Sequence, residues 1–250
     1  MTITHALLLV AAGVAAGILS TVAGLASLVS YPVMLGLGLP PLAANVTNTV
    51  SLVLTGAGSA AGSRPELAGQ GRRVLRFGVL TALGGGAGAA VLLLTPASTF
   101  ERVVPVLIGT ASLLFLVQPR IRALNARPGT ERSAALYAAL FAVGAYVGYF
   151  GAAAGVLLLA VLGVMIDEGL ARLNALKNVI SGLANTVASV CFAFFAPVHW
   201  AFVPPLAAGF LIGGWTGPKI VRRMPGPALR AVVALAGVGL AVKLGLSAYR

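Results

Sequence analysis

Apolar runs recur from one end of this 250-residue chain to the other, separated by short turns, and no other feature restricts its folding as strongly. Hydrophobic residues make up 59% and charged residues 9%, against about a quarter charged in soluble domains, so the solvent for most side chains must be lipid. The expected fold is an all-α polytopic membrane protein, with residues 1–250 forming a single integral membrane domain. The opening MTITHALLLVAAGVAAG lacks the basic segment of a secretory signal and continues past any small-residue cleavage site. It reads as the first membrane segment.

A formal net charge of +12 would suggest nucleic acid for a soluble protein. Here the arginines and lysines sit between apolar segments rather than along one face, which fits topology signals and anionic lipid headgroups instead. The single cysteine, Cys191, excludes an internal disulfide and reads as buried packing.

In order, a span is expected over His5 to Val22, stopping at Ala23-Gly24. The piece Leu25 to Leu37 covers about 20 Å at 1.5 Å per residue, short of a core of about 30 Å, so it is a half-length or re-entrant helix. Leu42 to Gly62 follows, then a basic loop over 63–76 and a span from Phe77 to Thr95. The glycine run at 84–88 suits close helix approach in a membrane. A turn with Glu101 and Arg102 precedes Val103 to Val117, and 119–132 forms a polar linker. The pattern then restarts: Ser133 to Phe150, a break at 151–155, a short Val156 to Ile166, Leu173 to Phe195, Ala201 to Pro218 and Ala228 to Leu246.

Shifting the chain by 130 residues sets Asn48 on Asn178, Ser51 on Ser181 and Ser59 on Ser189; a shift of 131 sets Gly17 on Gly148 and Gly24 on Gly155. Two repeats are expected, 1–118 and 133–250, joined by a cytoplasmic linker loop at 119–132, with about 8–10 membrane segments in all. If the short pieces count as crossings, thirteen cations fall on one side against three on the other, with Lys177 inside the membrane. That arrangement follows the positive-inside rule and makes the repeats inverted. If the short pieces turn back, the split is ten against six.

Two polar stripes stand out. Asn174, Lys177, Asn178, Ser181 and Asn185 share one helical face, and Asn45, Asn48 and Ser51, with Thr47 and Thr55, form a matching uncharged set. Lys177 has two readings: an interfacial lysine that snorkels or pairs with Asp167 or Glu168, and a cation that draws an anion into a cavity. The uncharged stripe is either interhelical glue or half of a central site. Helices starting after Gly24 and at Ala154-Gly155 would turn free N–H groups toward an anion. His199 reads as an interfacial residue. No Walker, HExxH or CxxC motif occurs, which argues against an ATP-driven pump and a metalloenzyme, and no cofactor is expected. Ser181-Gly182 with His199 is the one pairing that an intramembrane serine enzyme could use, and Val179 stands where its motif would need glycine.

The broken first helix, Tyr31-Pro32, the Gly-Leu-Pro turn before the helix from Ala43 to Ser51, the second copy from Gly148 to Ser189, and LIGGWTGPKIVRRMPGPALR at 211–230 together resemble the TauE/SafE family of sulfite exporters and anion permeases. The resemblance spans nearly the whole chain. It implies a secondary transporter for sulfite, a sulfonate or a related organic anion in a bacterial inner membrane, and not an enzyme. The candidate substrate residues are Gly24, Asn45, Asn48, Ser51, Gly155, Asn174, Lys177, Asn178, Ser181 and Asn185. The expected partners are the small anion and lipid; a coupling proton or ion and a homo-oligomer stay open. An intramembrane enzyme or a helical scaffold is the alternative.

Overall fold

The computed structural model describes residues 2–123, 133–221 and 246. Among them the chain is all-α: α1 Ile3–Ala23, α2 Ser27–Gly36, α3 Pro41–Gly62, α4 Arg64–Leu67, α5 Gly71–Leu94, α6 Ala97–Ala123, α7 Ala134–Tyr149, α8 Ala154–Met165, α9 Leu170–Phe195 and α10 Val203–Val221. Three stretches are long and apolar enough to cross a membrane, Ile3–Val22, Gly71–Leu94 and Leu170–Phe195, and α2, α7 and α8 are shorter apolar helices. Caps mark two starts: Thr2 Oγ1 accepts from His5 N at 3.2 Å, and Ser133 Oγ accepts from Leu136 N at 3.2 Å.

Several boundaries differ from the expectations. Residues 63–76 are not a simple loop, since α4 forms within them and α5 starts at Gly71, carrying Arg72, Arg73 and Arg76 in its first turns. Glu101 and Arg102 lie inside α6, which begins at Ala97 and runs to Ala123, into the segment expected to be a linker. Long charged side chains at a helix end can reach the interface while their backbone stays helical, so charge marks the membrane boundary better than the helix boundary. The second break is confined to Phe150–Ala153, with Ala154 and Gly155 already in α8. The span expected over 228–246 lies, but for Leu246, outside the described residues.

The helices pack around an antiparallel pair. Ser189 Oγ of α9 donates to Thr49 O of α3 at 3.0 Å, and a Cβ placed on Gly56 would lie 3.0 Å from Gly182 Cα, so α3 and α9 run in opposite directions. Outside this pair, α10 lies against α3 and α5 against α9; α1 then packs on α10 and α7 on α5. The first helix of each half of the chain thus packs on a helix of the other half. Both outer contacts are parallel and use facing pairs of glycines four residues apart. Gly13 and Gly17 meet Gly209 and Gly213, while Gly84 and Gly88 meet the α7 stretch that holds Gly144 and Gly148. Lipid is as apolar as leucine, so helices gain most by bringing backbones together, and small residues allow it.

One end of the bundle is basic and tied across the halves. Arg73 Nη1 of α5 lies 2.7 Å from Glu168 Oε1 in the α8–α9 turn, and Arg172 Nε lies 3.0 Å from Glu168 Oε2. Gln70 Nε2 donates to Arg172 O at 3.3 Å and Arg172 Nη2 to Ala68 O at 3.1 Å. At the opposite end His199 N donates to Thr47 Oγ1 at 2.9 Å, with Phe194, Phe195 and Trp200 exposed nearby.

Two outcomes follow. A side chain at Gly148 would meet Gly85 O, so Gly148→Leu should lower the unfolding temperature in detergent by about 5 °C or more, the cost of overpacking a tight crossing; Gly36→Ala, with nothing near its Cβ, should not. The hydrogen bond from Arg73, with the Arg172 charge added, holds the Glu168 carboxyl below its ordinary value against partial desolvation. A depressed folded pKa stabilises at neutral pH and is lost on acidification, between about pH 4.3 and the lower folded value. Thermal unfolding followed from pH 7 to pH 3 should fall less steeply in Glu168→Gln.

Candidate functional site

Helix α1 stops inside the protein, and its last turn shows how. Gly24 adopts φ +74°, a left-handed conformation free of a Cβ penalty, and its N–H donates to Ser20 O at 2.7 Å. Helix α7 stops similarly: Gly151 has φ +72° and donates to Tyr146 O at 2.9 Å. The chain then takes a second left-handed residue, Ala153 at φ +56°, before α8 begins. For alanine that conformation costs about 1–3 kcal/mol and persists only where the surroundings enforce it. Ala152 and Ala153 are buried, and the Tyr146 hydroxyl donates to Ala152 O at 2.7 Å. Behind the break Phe150 packs edge-on to Tyr31 at 5.8 Å and to Phe100 at 6.1 Å.

The two breaks touch. A Cβ on Gly24 would fall on the Gly155 backbone, and one on Gly155 on Gly24. Glycine is required at both for close approach, and at Gly24 also for its conformation.

A helix that ends in a low dielectric leaves its last carbonyls unpaired, with about half a negative charge concentrated there. Side chains from the other half of the chain cover them. Asn174 Nδ2 of α9 donates to Thr21 O at 2.8 Å, Asn178 Nδ2 to the same oxygen at 3.4 Å, and Lys177 Nζ to Ser20 O and Thr21 O at 3.3 and 3.4 Å. At the other break Asn45 Nδ2 of α3 donates to Tyr149 O at 3.1 Å. Lys177 is 1% exposed, so it does not snorkel to an interface, and Glu168 is engaged by Arg73 and Arg172.

Where the breaks meet, α1, α2, α3, α7, α8 and α9 line a cavity of about 40 Å³, taken as the space open to the centre of a water. One water needs about 10–15 Å³ on that measure, so in this conformation it holds about three. Lys177 is the one ionisable side chain among its described lining residues, and the remaining polar ones are hydroxyls and amides. The first turns of α2 and α8 reach it through Ala26 and Ser27 and through Ala154 and Gly155. With the negative ends of α1 and α7 capped, the positive ends of α2 and α8 are the helix termini left to act on the cavity.

Of the ten expected residues, Gly24, Gly155, Lys177, Asn178, Ser181 and Asn185 line it. Asn174 and Asn45 are placed behind it as caps. Asn48 accepts from Ser30 Oγ at 2.6 Å and donates to Ser27 Oγ at 3.2 Å, tying α3 to α2, and Ser51 turns back on Thr47 O at 2.8 Å. Thr55 of the expected α3 stripe does line the cavity, joined there by Thr49, Leu52, Gly56 and Ser59, while α2 claims Asn48. Ser20, Thr21, Ser27, Thr49 and Ser59 were not expected. The adjacent hydroxyls Ser20-Thr21 just before the break were the available signal. Ser181 lies fourteen residues before the end of α9, about 21 Å along the helix, whereas His199 follows that end and packs edge-on to Phe202 at 4.6 Å. These two cannot form a catalytic pair.

Asn174→Leu removes the shortest bond to the buried Thr21 carbonyl and leaves those at 3.4 Å, and should cost about 0.5–1.5 kcal/mol, read as earlier unfolding in detergent; Ser181→Ala, outside the caps, should cost less than about 0.5 kcal/mol.

Residues 9–244 match the family model described as sulfite exporter TauE/SafE. The chain is 23% identical over 240 residues to the probable membrane transporter protein ORF9 of a Sinorhizobium species, covering 96% of this chain and 91% of that one. It is 24% identical over 236 residues to the probable membrane transporter protein YfcA of Escherichia coli K12, covering 92% and 85%. No solved structure matches. Broken helices capped across the two halves of an integral membrane bundle thus occur here in a chain that belongs to the TauE/SafE family of membrane transporters.

Proposed function

We propose that the protein is a secondary transporter, not an enzyme, and that it moves a small anion such as sulfite, a sulfonate or a related organic anion across a bacterial inner membrane. The observation that carries this is the cavity where the two breaks meet: it is lined by hydroxyls, amides and Lys177, with no carboxylate among its described lining residues. Such a lining donates hydrogen bonds and repels no anion, and a ligand there has one broken helix on either side. The family description names sulfite, and the two relatives are named probable membrane transporters.

The proposed architecture is two inverted repeats, 1–118 and 133–250. Helices α3 and α9 hold equivalent places in them and run antiparallel, as inversion requires. The packing is reciprocal: α1 on α10 matches α7 on α5, and α10 on α3 matches α5 on α9. The contact between Arg73 and Glu168 supports the same reading. If the short helices turned back without crossing, the α4–α5 and α8–α9 connections would lie on opposite membrane faces, whereas here they are joined by an ion pair. Alternating access then corresponds to movement of one repeat against the other about the touching glycines.

Cysteines introduced at Pro65, Asp167 and His199 in a Cys191→Ala background test the topology with an impermeant maleimide. Positions 65 and 167 should react from one face and 199 from the other; 65 and 167 reacting from opposite faces would overturn the inversion. In proteoliposomes the protein should carry sulfite or a sulfonate, with flux reduced about 10-fold or more by Lys177→Gln and by Asn178→Ala. Unchanged flux in both variants would remove the cavity from the transport path.

A further inference from the structure

Most buried hydroxyls of the described helices have a hydrogen-bond partner, either on their own helix or on a neighbouring one. Thr49 and Ser51 each donate to the carbonyl four residues earlier, at 3.0 and 2.8 Å, while Ser30 donates to Asn48 Oδ1 at 2.6 Å and Thr81 to Ile180 O of α9 at 2.9 Å. Either arrangement keeps a hydroxyl satisfied in an apolar surrounding. Thr55 and Ser59 depart from both. Their Oγ1 and Oγ atoms have no hydrogen-bond partner, although the residues are only 4% and 1% exposed. They are one turn apart on α3, on the same face, and both line the cavity. A buried hydroxyl with no partner on the protein must take one from water or from a ligand, and the cavity that both residues line admits either.

We infer that Thr55 and Ser59 form an oxyanion subsite, donating two hydrogen bonds to two oxygens of one transported monovalent oxyanion. This deepens the anion-transport reading and rests on it. Positions i and i+4 of a helix set side-chain Cβ atoms about 5–6 Å apart, a spacing that lets two short hydroxyls each bond a separate oxygen of one small group. A halide would have to share its single acceptor centre between the two donors, whereas an oxyanion gives each its own. Across the cavity the α9 residues Ser181 and Asn185 supply further polar groups, and Gly56 and Gly182 let the two helices close to backbone contact. The charge expected of the ligand follows from Lys177. It is the one cation among the described lining residues, and part of its field is already taken up by the Ser20 and Thr21 carbonyls. A single negative charge matches that site better than two, because a second charge would enter the low dielectric unbalanced. The inferred class is therefore a hydrogen sulfite, sulfonate, carboxylate or nitrate-like ion, ahead of sulfate and of chloride.

The test measures binding to purified protein by ligand-dependent thermal shift, with methanesulfonate, hydrogen sulfite, nitrate, acetate, sulfate and chloride as probes. Wild type should bind at least one monovalent oxyanion more tightly than chloride or sulfate. Thr55→Val and Ser59→Ala, which keep size while removing the hydroxyl, should each weaken it about 10-fold, in the range for a hydrogen bond to a charged group. Thr55→Ser should retain near wild-type affinity, and chloride binding should change little in any variant. If either single variant is unstable, Thr55→Ser and the remaining one still decide the matter. Wild type that binds none of the probes would overturn the anion reading as a whole; wild type that binds an oxyanion with affinity unchanged in Thr55→Val and Ser59→Ala would overturn only this subsite, and tighter binding of sulfate or chloride would overturn the charge and geometry assigned to the ligand.

Discussion

Helices that end in the interior of a membrane bundle leave carbonyl oxygens with nowhere to turn, and this protein covers them with side chains from the other half of its chain. Asn174, Lys177 and Asn178 on α9 close the end of α1, and Asn45 on α3 closes the end of α7. The requirement is strict because lipid offers no water to complete an unfinished backbone. Once met in this way, it ties the break in each half to the central helix of the other. The cavity is a consequence of that tie, since it is the space left where two capped breaks face each other.

The same constraint accounts for the glycines. Gly24 and Gly155 are in backbone contact, as are Gly56 and Gly182, so the breaks and the central helices meet at points where a side chain would hold them apart. The outer helices are bound by a separate set, Gly13 and Gly17 against Gly209 and Gly213, and Gly84 and Gly88 against α7. One group of small residues therefore holds the outer helices to the bundle, and another lets the breaks and the central helices approach to backbone contact.

Legibility differed from feature to feature for physical reasons. The broken helices could be read because a short apolar run next to glycine cannot span a bilayer. The polar stripe of α9 could be read from its period, and most of it does line the cavity. Its partner on α3 could not be read to the residue: Asn48 and Thr49 are adjacent and equally polar, and only the presence of Ser27 and Ser30 on α2 turns Asn48 away from the cavity and leaves Thr49, Thr55 and Ser59 facing it. Lys177 was legible as a buried cation, yet neither sequence reading of it included the carbonyls of Ser20 and Thr21, which are more than 150 residues away in the chain.

What the sequence determined by itself was the solvent and the element type: apolar runs of membrane length, interrupted by glycine and bounded by arginine, must be helices in lipid, with their breaks and polar faces at set positions along the chain. Only the tertiary structure decided which groups meet. Hydrogen bonding by an amide, hydroxyl or ammonium depends on what lies within about 3 Å, and the groups that cap the two breaks come from a different helix. The antiparallel pairing of α3 with α9, the contact of Gly24 with Gly155, and the turning of the Thr55 and Ser59 hydroxyls to the cavity without a partner on the protein all follow from that packing.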